Sequence, residues 1–157
     1  MAIDVAAPAN GMKFGVFPAY MRALLSLNIN PAYIIYPIVF NIAGNLVVGV
    51  NKSTEHLAVV DTLRPSTIVS AFAKVKTAPL TTDILIDINR GGVSIFPNAA
   101  GRVTITAAGT TSPEAPVSAI TLANLDVLTI DVDQIGTGTV GADLVIIVKV
   151  KQLIIFP

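Results

Sequence analysis

An antiparallel all-β fold, a sandwich or jelly roll, is predicted from three observations on the sequence. Short segments rich in Val, Ile and Thr recur along the C-terminal two thirds of the chain, turn residues separate nearly all of them, and no convincing helical period is present there. Many short strands with regular turns are typical of sandwiches and jelly rolls.

The N-terminal segment, residues 1–62, is expected to form an arm that attaches the protein to a partner. Residues 1–10 are rich in small side chains and predict an extended arm, and residues 17–27 predict one short helix, since good helix formers follow a proline. Strands are expected to resume at residues 33–60, with a turn at residues 43–45.

The second domain, residues 63–157, is predicted to be the sandwich. Its seven expected strands span residues 67–76, 83–89, 93–96, 102–106, 117–122, 127–133 and 143–151. Apolar and polar side chains alternate in several of them, as where three isoleucines oppose Asp83 and Asp87. One face of each strand is therefore expected to pack in the core.

The composition indicates a protein whose surface is covered by other subunits. The 157 residues suit one main domain. Charged residues make up 13% of the chain, against roughly 25% in an ordinary soluble domain, so an oligomer or a larger assembly is expected. Basic residues are scattered singly and equal the acidic ones in number, which argues against a nucleic-acid partner. The absence of cysteine excludes disulfides and thiolate catalysis.

One apolar stretch imitates a membrane span, because no residue from Ala23 to Asn51 is charged. Asparagines, prolines and a glycine recur within it, and a lipid-exposed helix tolerates them poorly, so strands are predicted and no membrane is expected. The N-terminus, MAID, does not resemble a secretory signal, and synthesis in the cytoplasm is expected.

The stretch DILIDINRGGVSIF, residues 83–96, contains the sharpest candidate for a metal site, since Asp87-x-Asn89 resembles the start of a calcium loop. Such a loop needs an oxygen ligand at its fifth position and a bidentate Glu at its twelfth, but these positions hold Gly91 and Asn98. Paired glycines between apolar runs instead predict a hairpin with Asp87 on its solvated face.

A second acidic set comprises Asp126, Asp131, Asp133 and Asp143. No basic residue lies between Arg102 and Lys149, so a structural cation is the alternative to a purely structural role. Asp131 and Asp133 point the same way along one strand, where water, a cross-strand threonine or a basic partner would satisfy them. Nothing in the sequence distinguishes one of these aspartates as the general acid of a glycoside hydrolase.

His56 is the only histidine, so any serine triad must use it, and its place near a turn indicates an exposed side chain. Gly91-Gly92 leads into a strand and not a helix, which excludes a phosphate loop there. The sequence therefore predicts no catalytic, cofactor-binding or metal-binding residues, and no enzyme.

Six segments of the second domain carry a resemblance to a known family. They are VKTAP (75–79), DILIDIN (83–89), GVSIF (92–96), TLA (121–123), DVLTIDVDQIG (126–136) and GADL (141–144). Their order and spacing resemble a module common at the C-termini of tailed-bacteriophage structural proteins, including fibre and head-decoration proteins, over roughly residues 63–151. The chain departs from the family pattern at two turns, residues 80–82 and 124–125, where the family usually has glycine.

The resemblance implies a small β-sandwich of jelly-roll type, often trimeric, with a structural or attachment role and no catalysis. The expected function is that of a virion protein assembled in the host cytoplasm, a capsid decoration or minor capsid protein. Its expected partners are its own copies, as a homotrimer, and a major capsid or tail protein bound through residues 1–62. The alternative is a tail fibre or host-attachment module that binds a glycan through loops 97–101, 110–116 and 137–141, although the chain has no Trp on which a sugar would stack.

Overall fold

The computed structural model describes residues 33–61 and 63–154. Its regular elements are nine strands and one short 3-10 turn, Ala99–Gly101. The strands are β1 Tyr33–Asn45, β2 His56–Leu57, β3 Ser66–Thr77, β4 Ile84–Arg90, β5 Val93–Ser94, β6 Val103–Ile105, β7 Ala115–Leu122, β8 Val127–Gln134 and β9 Ala142–Leu153.

The strands form two antiparallel sheets. Sheet A has the order β1-β9-β3-β7, and sheet B has the order β2-β8-β4, with β5 and β6 both pairing with the other edge of β4. Apart from the two-residue β5, the first strand pairs with the last, the second with the last but one, β3 with β7 and β4 with β6. This nested pairing is the topology of a jelly roll, and it confirms the predicted fold class.

The core lies between the sheets and is built by alternation along each strand. In β9, Leu144, Ile146, Val148 and Val150 are almost completely buried, while the residues between them face outward. Sheet B contributes the three isoleucines of β4 and the apolar residues of β8 to the same core. Period-two alternation thus assigns one face of each strand to the interior, as the sequence predicts.

The seven strands predicted for the second domain are all present, and each of their ends lies within two residues of its predicted position. The segments are short, rich in β-branched residues and bounded by turn residues, so the local sequence determines where they begin and end.

The N-terminal limit of the sandwich differs from the predicted one. The compact unit that contains the sandwich begins at Tyr33, because β1 pairs with β9 along its whole length, from Tyr33 opposite Leu153 to Asn45 opposite Ala142. The attachment segment predicted at residues 1–62 therefore includes two strands of the jelly roll. The extended arm and the short helix predicted before Tyr33 lie outside the described residues.

The turn predicted at residues 43–45 is a bulge at the end of β1. Gly44 adopts a φ of 76°, and the register with β9 shifts between Ile42 and Asn45. A glycine tolerates this left-handed conformation without strain. Within residues 33–61 and 63–154, no helix has the length and hydropathy needed to cross a membrane.

Candidate functional site

The stretch DILIDINRGGVSIF folds back on itself as the sequence predicts. β4 and β5 form its two arms, with Asn89 opposite Ser94 and Arg90 opposite Val93. The two residues between the arms, Gly91 and Gly92, have φ values of 57° and 81°. Two consecutive left-handed residues are what a tight hairpin needs, and glycine adopts them at little cost.

Asp87 does not lie on a solvated face, and that prediction is wrong. Its residue exposure is 4%. One carboxylate oxygen accepts hydrogen bonds from the Ser94 hydroxyl, at 2.6 Å, and from the Ile88 N–H, at 2.8 Å. The other oxygen lies 2.9 Å from the Arg102 guanidinium. The connection from β5 to β6 brings Arg102 across the outer face of sheet B, and this covers Asp87.

Arg102 binds a second carboxylate and so links two strands of sheet B. Its Nη1 lies 2.6 Å from an oxygen of Asp133 on β8, while Nη2 contacts Asp87 on β4. Partial burial raises the pKa of Asp133 above its ordinary value. The positive charge of Arg102 acts in the opposite direction, but the negative charges of Asp87 and Asp131 add to the effect of burial.

Asp131 is satisfied by neutral donors. The side-chain amide of Asn89 donates to one of its oxygens at 2.9 Å, and the backbone N–H of Asn51 donates to the other at 2.8 Å. Asp131 and Asp133 both alternate with buried residues of β8, as predicted. Asp133 has a basic partner of the predicted kind, Arg102, whereas Asp131 binds an amide and a backbone N–H in place of the predicted water, threonine or basic side chain.

Asp126 and Asp143 lie elsewhere, and each binds a backbone N–H and pairs with a basic side chain, Arg90 at 3.7 Å for Asp126 and Lys76 at 4.0 Å for Asp143. Asp126 accepts the N–H of Ala123 at 2.7 Å, and Asp143 accepts the N–H of Gly44 at 2.8 Å. The four members of the second acidic set therefore do not converge. Among residues 33–61 and 63–154, no group of three or more His, Asp or Glu side chains is arranged to hold a metal ion.

The polar cluster on sheet B, defined as Asp87, Asn89, Ser94, Arg102, Asp131 and Asp133, connects β4, β5 and β8 with the residue before β6. Every carboxylate in it is hydrogen-bonded or ion-paired within the fold. Such a cluster fixes the relative positions of strands, because separating them would leave buried charges without partners.

His56 is half-buried, so the prediction of an exposed side chain is wrong. It lies in β2 opposite Leu128. Its ring meets the Phe40 ring edge to face, with the centroids 6.2 Å apart and the planes at 75°. This contact packs the β2 edge of sheet B against the β1 edge of sheet A.

Of the three loops predicted to bind a glycan, two lie against the same segment. A carbonyl of loop 110–116 accepts the N–H of Val75 at 2.8 Å, and a carbonyl of loop 137–141 accepts the N–H of Leu80 at 3.0 Å. Loop 97–101 contains the 3-10 turn and contacts β7 instead. None of the three loops contains an aromatic residue on which a sugar ring would stack.

The outer face of sheet A carries an ion pair among apolar side chains. Lys149 on β9 contacts Glu114 at 2.7 Å and lies over the ring of Phe72. Glu114 also accepts a hydrogen bond from the Ser70 hydroxyl. The hydrogen bonds from Lys149 and Ser70 lower the pKa of Glu114 below its ordinary value, and the Lys149 charge adds to them.

Exposed apolar side chains concentrate in β1 and the segment that follows it. In the described part of the chain thirteen large apolar residues are exposed, and seven of them lie between residues 33 and 50. They are Tyr33, Ile34, Ile35, Val39, Val47, Val48 and Val50. Clustering of this kind is typical of a surface that another protein covers.

Sequence reasoning missed two of these features, and for one of them the sequence held a signal. Arg102 is the last basic residue before Lys149, and several aspartates lie between the two. Arg102 was therefore a candidate partner for those aspartates. The exposed strip of β1 had no such signal, because both faces of that strand are apolar in sequence.

The chain matches no family model, and no curated protein matches it either.

Proposed function

We propose that the chain is a non-enzymatic structural protein of a tailed-phage virion, a capsid decoration or minor capsid protein that docks through its N-terminal part. The observation that carries the proposal is the ordered series of segments over residues 63–151, which resembles the module of such proteins. The jelly-roll topology agrees with the fold that the resemblance implies.

Two features of the described residues support a structural role. The carboxylates that were candidates for chemistry bind basic side chains, the Asn89 amide and backbone N–H groups. The surface is poor in charge and exposes an apolar strip along β1, as expected of a subunit that assembles with copies of itself and with a capsid or tail protein. A homotrimer is the assembly that the resemblance implies.

The test is to locate the protein in assembled particles. Particle imaging and cofractionation with intact capsids should both detect the full chain, and deletion of residues 1–32 should abolish cofractionation. The exposed substitution Leu80→Ser in the full chain is the control and should cofractionate normally. Particles that lack the protein would refute the virion role, whereas unchanged binding of the deletion variant would refute the docking segment alone.

The alternative role, a tail fibre or host-attachment module, is favoured by one observation. Loops 110–116 and 137–141 both bind the backbone of one segment, residues 75–80, through the N–H groups of Val75 and Leu80. Retention of the full chain on a glycan array, lost when polar residues of loop 137–141 are replaced, would favour this role. Cofractionation with capsids and no retention would exclude it.

A further inference from the structure

An apolar groove lies between the two sheets, where β1 of sheet A faces β2 of sheet B. Its volume is about 240 Å³, and its walls include Tyr36, Ile38, His56, Ala58, Val60 and Leu122. An apolar cavity of about 150 Å³ is large enough to bind benzene. The groove therefore has room for one aromatic side chain.

The C-terminal end of β9 lies beside this groove. The Tyr36 hydroxyl and the Gln152 amide both donate hydrogen bonds to the Ser66 hydroxyl oxygen, at 3.3 Å and 3.2 Å. Ser66 lies opposite Gln152 on one side and opposite Leu122 on the other. Two strand spacings, about 10 Å, therefore separate Gln152 from a wall of the groove.

The residues that follow β9 have a side chain of the required kind in reach. Even-numbered residues of β9 face the core, β9 ends at Leu153, and Ile154 is half-buried. The same period of two directs the next even-numbered side chain, Phe156, to the core side of sheet A. The four residues from Gln152 to Phe156 span up to about 13 Å, which is enough to reach the groove.

We propose that residues 155–157 of this chain close the groove, with the Phe156 ring as the side chain that fills it. Residues 154–157, with the sequence IIFP, carry no charged side chain, so their burial desolvates no charge. In the groove the Phe156 ring contacts β1 of sheet A and the segment after β2 of sheet B. The ring thus ties the two sheets together at their open edge.

The short tether favours this occupant over others. A side chain held two residues from Ile154 has an effective concentration in the millimolar range, so the same side chain of a second copy would compete only at a comparable concentration. Residues 28–32, which precede β1, contain no aromatic residue. The closure depends on the sandwich alone and goes beyond the virion role, so its failure would leave the virion role intact.

A pair of introduced cysteines tests the position of residue 156, since the chain has no cysteine of its own. Under mild oxidation, the full chain with Val60→Cys and Phe156→Cys should form a disulfide within one molecule, seen as a monomer in non-reducing electrophoresis. Val145→Cys with Phe156→Cys is the matched control and should stay reduced, because Val145 lies on the outer face of β9, roughly 25 Å before Leu153. A disulfide between two chains would assign the groove to a second copy. That result, or equal crosslinking of the two pairs, would overturn the proposal.

Fluorescence gives an independent measurement, because the chain has no Trp. Full-length Phe156→Trp should emit at a shorter wavelength when folded than in urea and should be protected from quenching by acrylamide. Adding Val60→Lys, which places a charge in the groove, should shift the emission toward the unfolded wavelength, whereas adding Val145→Lys to another half-buried valine should not. Circular dichroism melts would establish that each variant folds. Emission from folded Phe156→Trp at the unfolded wavelength, or an equal response to the two lysines, would overturn the closure.

Discussion

Arg102 holds two carboxylates that repel each other, so its loss should cost more than the loss of any surface ion pair. Arg102→Met should lower the free energy of unfolding by about 3 kcal/mol, because Asp87 would remain buried without a positive charge. Urea denaturation measures the change. Arg64→Met is the matched control, since Arg64 pairs with Asp61 at 3.9 Å on an exposed surface, and its loss should cost less than about 1 kcal/mol. Equal, small losses in both variants would show that the polar cluster on sheet B contributes little.

The pH dependence of stability should reveal the raised pKa of Asp133. The pKa of Asp133 in the folded chain lies above its ordinary value of 3.8. At a pH between the ordinary and the folded pKa, Asp133 therefore binds more protons in the folded chain than in the unfolded chain. The free energy of unfolding therefore falls through that interval as pH rises. Asp133→Asn should remove this fall, which is measured as the wild-type minus variant difference in urea unfolding at a series of pH values.

Glu114 supplies a control of opposite sign. Lys149 and Ser70 hold its folded pKa below 4.5, so its contribution to stability is present above that value and is lost as pH falls through the folded pKa. In the wild type, Glu114 makes the free energy of unfolding rise as the pH is raised, and Glu114→Gln should remove that rise. Asp133 makes the free energy of unfolding fall as the pH is raised, and Asp133→Asn should remove that fall. The same sign in both variants would contradict the assignment of burial as the main cause at Asp133.

Asp87 shows what alternation along a strand can predict and what it cannot. The period of two places Asp87 opposite the core, and that is correct. Whether the opposite face is open to water depends on other segments. Here Arg102, fifteen residues later, covers it. No local pattern contains that information, because the path of the β5 to β6 connection is a property of the folded chain.

The hairpin between β4 and β5 depends on backbone conformation more than on side-chain space. A Cβ at Gly92 would contact nothing within 4 Å, but φ is +81°, and an L-residue is strained there. Gly92→Ala should therefore lower the free energy of unfolding by about 1 kcal/mol. Gly101→Ala is the control, because its φ is not left-handed and its nearest neighbour would lie at an ordinary 3.7 Å. Thermal or urea melts measure both variants. The same loss of unfolding free energy in Gly92→Ala and Gly101→Ala would show that the backbone φ at Gly92 is not the cause.

The strands after Leu63 were predictable because their signals are local, whereas the role of β1 was not. β-branched runs and turn residues mark each later strand within a few positions. β1 pairs with β9, which follows it near the other end of the described chain, with Tyr33 opposite Leu153 and Asn45 opposite Ala142, and β1 is apolar on both faces. The same composition suits an attachment arm and an edge strand, so the sequence alone placed this segment outside the sandwich.

On the scale of the whole molecule, the jelly roll is complete only when β1 pairs with β9. β1 covers one side of β9, and its Ile38 and Phe40 complete the core between the sheets. Most strand pairs join segments distant in sequence, so the topology has high contact order and the fold should form slowly and cooperatively. Removing either end of this pairing should therefore affect the whole sandwich.

Two fragments test where the folded unit begins. Residues 33–157 contain all nine strands found in the described part of the chain and should melt cooperatively, at a temperature close to that of the full chain. Residues 63–157 lack β1 and β2, and losing the buried Ile38 and Phe40 alone removes about 3–6 kcal/mol of apolar stabilisation. That loss is comparable with the about 5–15 kcal/mol that stabilises a typical domain, and it also exposes the edge of β9. Circular dichroism and gel filtration should thus find this shorter fragment unfolded or aggregated. A cooperative, monomeric 63–157 fragment would restore the boundary that the sequence predicts and would make β1 an accessory to a complete sandwich.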